Sequence, residues 1–141
     1  MNLVADASAL LAILLGEPDA EQHLSKLLIA RNVWISPINW WEVQVHMSAR
    51  YGAAGEASAA RWMTQVGIVV EPVTLQHAEI ALAVYAKYRG RPARLNMGDC
   101  FAYALAGRRT CRFFTRARIL QSRNCPPFLS PVSHALPPGL K

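Results

Sequence analysis

The sequence alternates between short apolar runs and longer stretches in which apolar residues return every three or four positions. The short runs are NLVAD near the start of the chain and then VWIS, IVVEPV and CRFF. Continuous apolar runs of this length are typical of strands buried on both faces of a parallel sheet. The stretches between them predict helices, so we expect an α/β fold with a central parallel sheet covered by helices on both faces.

Helix boundaries are indicated by glycine, proline and capping residues. The apolar stretch after the first strand is broken at Gly16–Pro18, which predicts two short helices rather than one. Pro37 suits the first turn of the next helix, and GEASAARWMTQVG predicts a separate helix after it. Thr74 and Asn96 are expected to cap the last two helices.

Charge divides the chain into two parts. Residues 1–99 carry eight Lys and Arg and all nine Asp and Glu, whereas residues 100–141 carry seven Lys and Arg, no acid and most of the prolines. The net charge of +6 therefore belongs to the C-terminal part and is not a uniform nucleic-acid footprint. We expect one folded domain over residues 1–115 and a basic, proline-rich, poorly ordered tail over residues 116–141.

Cysteine number and hydropathy indicate the cellular compartment of the protein. Three cysteines without a C-x-x-C pair are typical of reduced thiols rather than of a disulfide framework. The longest apolar run, residues 9–15, is too short to cross a bilayer, and no basic segment precedes it as in a signal peptide. We therefore expect a cytoplasmic protein with no membrane partner.

Two carboxylates occupy positions that are unusual for surface acids. Asp6 ends the first strand, at the edge of a parallel sheet where ligands bind, although an aspartate there also commonly caps the following helix. Glu42 shares an apolar helix face with Ile38 and Val45. An ionised carboxylate on such a face needs a cation or becomes protonated, unless it lies at the edge of the stripe and reaches water.

A third carboxylate, Asp99, lies in the first turn of its helix, where the helix dipole favours an anion and where it also suits a capping role with Asn96. Asp6, Glu42 and Asp99 can converge at one sheet edge. Converging carboxylates repel unless a divalent cation neutralises them, and oxygen ligands select Mg²⁺ or Mn²⁺. Because such ions activate water and stabilise a displaced phosphodiester oxygen, the predicted chemistry is hydrolytic phosphoryl transfer.

A basic loop, KYRGRPAR, precedes the helix of Asp99. Arg89, Arg91 and Arg94 are candidates for contacts with an RNA backbone, which give affinity without sequence choice. A solvated loop is the equally weighted alternative. The histidines lack a partner at metal or triad spacing, and Trp40 and Trp41 are expected in the core or in a dimer interface rather than as base-stacking platforms.

Three segments resemble the VapC toxin family of PIN-domain proteins: VADASALLAILLGEPDAE, the glutamate of INWWEV and RPARLNMGDCFAYALA. The resemblance covers residues 2 to about 107. The resemblance implies a three-layer α/β/α fold, Mg²⁺-dependent endoribonuclease activity, a homodimer and a cognate VapB-type antitoxin that occludes the site. By motif position Asp6, Glu42 and Asp99 match the first three acids of the family. Ser8 matches a hydroxyl residue that is often close to the metal.

The chain departs from the family at the fourth acid, which follows a strand in a stretch such as Leu-Leu-Tyr-Lys-Gly-Glu-Asp-Phe. Here the corresponding segment is CRFFTRARIL, with Arg116 and Arg118 near the expected acids. When residues 111–121 are back-translated with suitably chosen codons, the same bases read one position earlier encode Leu-Pro-Leu-Leu-Tyr-Lys-Gly-Glu-Asp-Phe-Ala. This sequence matches the family stretch that is missing here. This predicts a frameshift between residues 107 and 111, in the gene or in its sequencing, which an intact single frame in independent genomic reads would refute.

The missing acid leaves two functions open. The first is an Mg²⁺-dependent endoribonuclease, because three acids can still hold one hydrated ion. Its activity would be weakened by the loss of the fourth acid. The second is a catalytically impaired PIN-domain binding module that only sequesters the cognate antitoxin.

Overall fold

The computed structural model describes residues 1–90 and 94–108, and for residues 112–114 it describes the backbone. The predicted tail of residues 116–141 lies outside the described residues, as does Arg91 of the predicted RNA-backbone set. In the described part, helices and strands alternate as expected. Their bounds are β1 (Asn2–Ala5), α1 (Ala7–Leu14), α2 (Ala20–Leu28), β2 (Asn32–Ile35), α3 (Pro37–Val66), β3 (Ile68–Val70), α4 (Leu75–Tyr88), α5 (Met97–Arg108) and β4 (Arg112–Phe114).

The described strands form a parallel sheet in the order β3-β2-β1-β4. Ala5 at the end of β1 pairs with Ile35 at the end of β2 and with Phe114 at the end of β4. The carboxyl ends of the three strands therefore lie side by side at one edge of the sheet. The predicted α/β fold class with a central parallel sheet is confirmed.

Alternating side chains of β1 pack on opposite faces of the sheet, which explains the three layers. Leu3 and Ala5 belong to a core cluster with residues of α1, α2 and α3. Val4, between them, instead packs with Ala102 and Leu105 of α5. Because both faces are covered, Leu3, Val4 and Ala5 are all apolar, and this is why this part of the strand reads as a continuous apolar run.

The two helices expected after Pro37 are both present, and they meet within α3 at a kink where Gly52 has φ 64° and ψ −157°. This positive φ favours glycine, and it breaks the helical path without a connecting loop. The predicted caps Thr74 and Asn96 precede α4 and α5, and Gly16 and Pro18 lie between α1 and α2. None of the helices in the described ranges is both long and apolar enough to span a bilayer.

Candidate active site

Asp6 leaves the end of β1 and caps α1. It is 2% exposed, and its Oδ1 accepts a hydrogen bond from the Ala9 amide at 2.9 Å. The Ser8 hydroxyl lies 2.9 and 3.0 Å from the two carboxylate oxygens, so it donates to either one. The capping role considered for Asp6 is therefore present. A carboxylate has about four acceptor positions, so capping does not prevent it from also binding a cation.

Ser36 and Asn39, at the start of α3, are two site residues that the sequence did not indicate. Ser36 follows the residue paired with Ala5, so it stands next to Asp6 at the sheet edge. Its hydroxyl donates to Asn39 Oδ1 at 2.6 Å and accepts from the Asn39 amide at 3.1 Å. Because Oδ1 is held by this bond, the Nδ2 group of the buried Asn39 is directed towards the start of α5.

Gly98, at the start of α5, allows that helix to approach α3 closely. A Cβ at this position would lie 3.0 Å from Glu42 Oε2 and 3.1 Å from Asn39 Nδ2. Both distances are shorter than ordinary van der Waals contact. The glycine therefore brings the following residue, Asp99, towards Glu42.

The two carboxylates at this helix contact influence each other. Burial raises the pKa of Glu42 above its ordinary value, the nearby His46 lowers it, and the negative charge of Asp99 raises it. Burial also raises the pKa of Asp99, against a lowering effect from a backbone hydrogen bond of Asn96. The fold thus places two acids where each is harder to ionise than in water.

Asp99 also closes the N-terminus of α5, as the capping interpretation predicts. The Asn96 amide donates to Asp99 Oδ2 at 3.0 Å, and the Asp99 amide donates to Asn96 Oδ1 at 2.9 Å. These reciprocal bonds fix the orientation of the carboxylate at the sheet edge. Next to it, burial raises the pKa of Cys100 to about 11, so the thiol stays protonated at neutral pH.

Carboxylate oxygens are the donors that a hard divalent cation prefers. Glu42 and Asp99 are within electrostatic reach of each other, and Asp6 follows the end of β1 at the sheet edge. In the described parts of the chain, no three His, Cys, Asp or Glu side chains are already arranged to hold a metal ion. Mg²⁺ needs only one or two carboxylates because it retains several waters. The assignment of all three acids as ligands stays a prediction.

His46 is a site residue that our sequence interpretation grouped with the histidines lacking a partner at metal or triad spacing. It lies four residues after Glu42, a spacing that places two side chains on one helix face. Its effect on the pKa of Glu42 shows that the two groups interact. The pair could have been found from this spacing alone.

The described cations of the basic loop are exposed. Arg89 is the C-cap of α4, and Arg94 has φ 46°, an unusual value for a residue with a side chain. The Arg94 amide donates to the Gly90 carbonyl at 2.9 Å. Their predicted contact with an RNA backbone stays a prediction.

Comparison with known proteins defines first the class and then the relatives. The PIN domain profile matches residues 3–122. Ribonuclease VapC of Mycolicibacterium smegmatis is 35% identical over 106 residues, which cover 74% of this chain and 82% of that protein. Ribonuclease VapC28 of Mycobacterium tuberculosis is 34% identical over 107 residues, which cover 74% and 80%. The chain therefore belongs to the PIN-domain family, and its relatives within that family are VapC ribonucleases.

Two solved structures show the same fold. VapC20 of Mycobacterium tuberculosis, described as a Sarcin-Ricin loop cleaving toxin, has a TM-score of 0.70 at 16% identity and covers 84% of this chain and 92% of its own. A toxin–antitoxin complex from Klebsiella pneumoniae has a TM-score of 0.67 at 22% identity, with 92% and 97% covered. At these identities the likeness shows the fold alone.

Proposed function

We propose that this chain is an Mg²⁺-dependent endoribonuclease and the toxin of a toxin–antitoxin pair, and that it hydrolyses RNA phosphodiesters. The observation that carries the proposal is the approach of Glu42 to Asp99 at the sheet edge where Asp6 ends β1. The names of its relatives, which are ribonucleases at about 35% identity, support the reaction class.

Asp6, Glu42 and Asp99 are the residues that would hold Mg²⁺, with Mn²⁺ as an alternative. When bound, such an ion activates water and stabilises the charge on the displaced oxygen of the phosphodiester. Ser8 holds the Asp6 carboxylate in place through its hydroxyl. Gly98 sets how closely the other two acids approach.

We propose that Arg89, Arg91 and Arg94 bind the RNA backbone. The exposure of Arg89 and Arg94 supports this. Such contacts neutralise phosphates and orient the strand, but they read no sequence. Because they add affinity rather than chemistry, their loss should weaken substrate binding more than it slows cleavage of bound RNA.

RNA cleavage by the purified full-length chain tests the proposal. We expect cleavage with Mg²⁺, no cleavage in EDTA, and a loss of cleavage in Asp6→Asn. Activity that persists in EDTA would contradict the metal mechanism. Cleavage by Asp6→Asn at the rate of the unsubstituted chain would point to a contaminating nuclease.

The second candidate function is a catalytically impaired PIN domain that sequesters its antitoxin. It is favoured by the absence of any carboxylate after Asp99 in the sequence. A chain carrying the tail reconstructed from the alternative reading frame discriminates between the two. If that chain cleaves RNA and the natural chain cleaves no better than Asp6→Asn, the natural chain is a binding module.

We further propose a VapB-type antitoxin as partner, a homodimer as the working form and the cytoplasm as the location. The toxin–antitoxin complex among the fold relatives supports the first. The homodimer is supported by an apolar groove of about 310 Å³ between α4 and α5, which is bordered by the exposed Leu82, Tyr85 and Met97. Light scattering on Leu82→Glu should show a monomer if this groove lies in the dimer interface.

A further inference from the structure

We propose that the exposed face of α3 between Trp41 and Gly52 binds single-stranded RNA, with Trp41 stacking on a base beside the cleavage site. The proposal rests on the proposed endoribonuclease function and extends it to a particular substrate contact. Trp41 is 64% exposed, whereas its neighbour Trp40 packs against the core. Trp41 is therefore not in the core of this chain, and its position in a dimer interface stays a prediction.

Two rows of side chains run along this face, each with a spacing of four residues. The apolar row consists of Trp41, Val45 and Ala49, all of them exposed. The charged row consists of Glu42, His46 and Arg50. Because residues four apart lie one above the other on a helix, the two rows run side by side away from the acidic site.

The charge of this face suits a polyanion. No Asp or Glu occurs on α3 between Glu42 and Glu56, and Glu56 lies beyond the break at Gly52. The ionisable groups that follow Glu42 on the exposed face are His46 and Arg50, and the Arg50 guanidinium lies 5.7 Å from the centre of the Tyr51 ring. An arginine beside an exposed indole offers one contact for a phosphate and one for a base of a single strand, without sequence choice.

The position of Trp41 connects this surface to the proposed chemistry. It immediately precedes Glu42, in the second turn of a helix that begins at the sheet edge. From Trp41 to Arg50 the helix rises about 13 Å, enough to follow a strand beyond the site itself. A base stacked on the indole would hold the neighbouring phosphodiester close to the acids.

Binding is measured separately from cleavage by titrating the full-length chain into a short, fluorescently labelled single-stranded RNA of mixed sequence in EDTA. Trp41→Leu keeps an apolar side chain but removes the aromatic ring, and we expect it to weaken binding about tenfold. Trp41→Phe keeps a ring and should retain most of the affinity. The control is Ile29→Ala, an exposed apolar residue just before β2, at the opposite edge of the sheet, which should change nothing.

The phosphate contact of Arg50 is tested through the salt dependence of the same titration. Arg50→Gln should reduce the slope of log Kd against log salt by about 0.7, the value for one phosphate contact on a single strand. Arg61→Gln, an exposed arginine of α3 beyond the break, should leave the slope unchanged. Equal slopes for the two variants would show that Arg50 makes no phosphate contact with the RNA.

The outcomes separate this inference from the proposed function. Trp41→Leu binding RNA as tightly as Ile29→Ala would overturn the stacking contact, even if the chain cleaves RNA. So would a change of oligomeric state or antitoxin affinity in Trp41→Leu without a change in RNA affinity, since the indole would then serve a protein contact. Weaker RNA binding by Trp41→Leu, in a chain that never cleaves with Mg²⁺, would support the surface and refute the nuclease. If the unsubstituted chain binds no RNA, both proposals fail.

Discussion

At the start of α1, Asp6 is almost completely buried and accepts hydrogen bonds from the Ala9 amide and the Ser8 hydroxyl. At the contact between α3 and α5, Glu42 and Asp99 are only partly buried, and burial raises the pKa of both. The first region stabilises its negative charge with donors from its own chain. The second brings two like charges together, and a cation from outside is what would relieve their repulsion.

Replacing Asp6 with Asn tests the first region and should have the largest effect. Asn caps a helix nearly as well as Asp, so we expect the free energy of unfolding to change by less than about 1 kcal/mol. Cleavage should fall by more than about 100-fold, since partners outside the metal shell alone account for about 10- to 100-fold. The measurements are single-turnover cleavage with Mg²⁺ and urea denaturation. A large loss of stability with little loss of cleavage would make Asp6 a structural cap only.

Gly98→Ala tests the second region. The added methyl group would meet Glu42 Oε2 and Asn39 Nδ2, so the helices must separate slightly. We expect cleavage to fall by about 10- to 100-fold. The stability loss should stay near 1 kcal/mol, because the better helix propensity of alanine offsets part of the strain.

The control for this variant is Gly90→Ala, where an added Cβ meets no atom within 4 Å. It should cleave RNA like the unsubstituted chain. Equal cleavage by both alanine variants would show that the approach of α5 to α3 does not matter for the reaction.

Ser8→Ala should have a smaller effect than either. It removes the hydroxyl that holds the Asp6 carboxylate but leaves the Ala9 amide bond in place. We expect a loss of up to about tenfold in cleavage, at the low end of what an orienting partner contributes. Ser8→Thr keeps the hydroxyl and should recover the rate; a rate that Ser8→Thr does not recover would indicate packing rather than hydrogen bonding.

The pH dependence of stability without metal should show the smallest effect. Because the pKa values of Glu42 and Asp99 are raised, the folded chain binds more protons than the unfolded chain above the ordinary carboxyl pKa of about 4. The free energy of unfolding should therefore decrease as the pH rises from about 4 through the raised values. Solvent screening keeps the change small for partly exposed groups.

Glu42→Gln should flatten this decrease, and Glu56→Gln, an exposed acid on α3, should not. Denaturation curves of the three chains in EDTA between acidic and neutral pH provide the measurement. If stability rose with pH equally in all three, the acids at the helix contact would not be strained by burial.

Local sequence patterns predicted the fold because they record local physics. Apolar runs report burial on both faces of the sheet, and Asp6, Thr74 and Asn96 cap helices wherever they stand in the fold. The pattern also predicted two helices after Pro37, but it did not show that they meet at a kink without a connecting loop, because that depends on packing.

The candidate site was predictable only in part. Three acids stand out in the sequence by their positions. Asp6 follows a buried strand, Glu42 lies on an apolar helix face, and Asp99 lies in the first turn of a helix. Asn39 and Gly98 do not stand out, because their importance comes from a contact between two helices distant in sequence.

The central claim is that Asp6, Glu42 and Asp99 share one divalent cation. Anomalous diffraction from crystals of the full-length chain grown with Mn²⁺ tests it most directly. The account predicts an anomalous peak whose nearest protein atoms are oxygens of these three residues, and its loss in Asp6→Asn. A peak held by other side chains, or none in a chain that cleaves RNA with Mn²⁺, would contradict it.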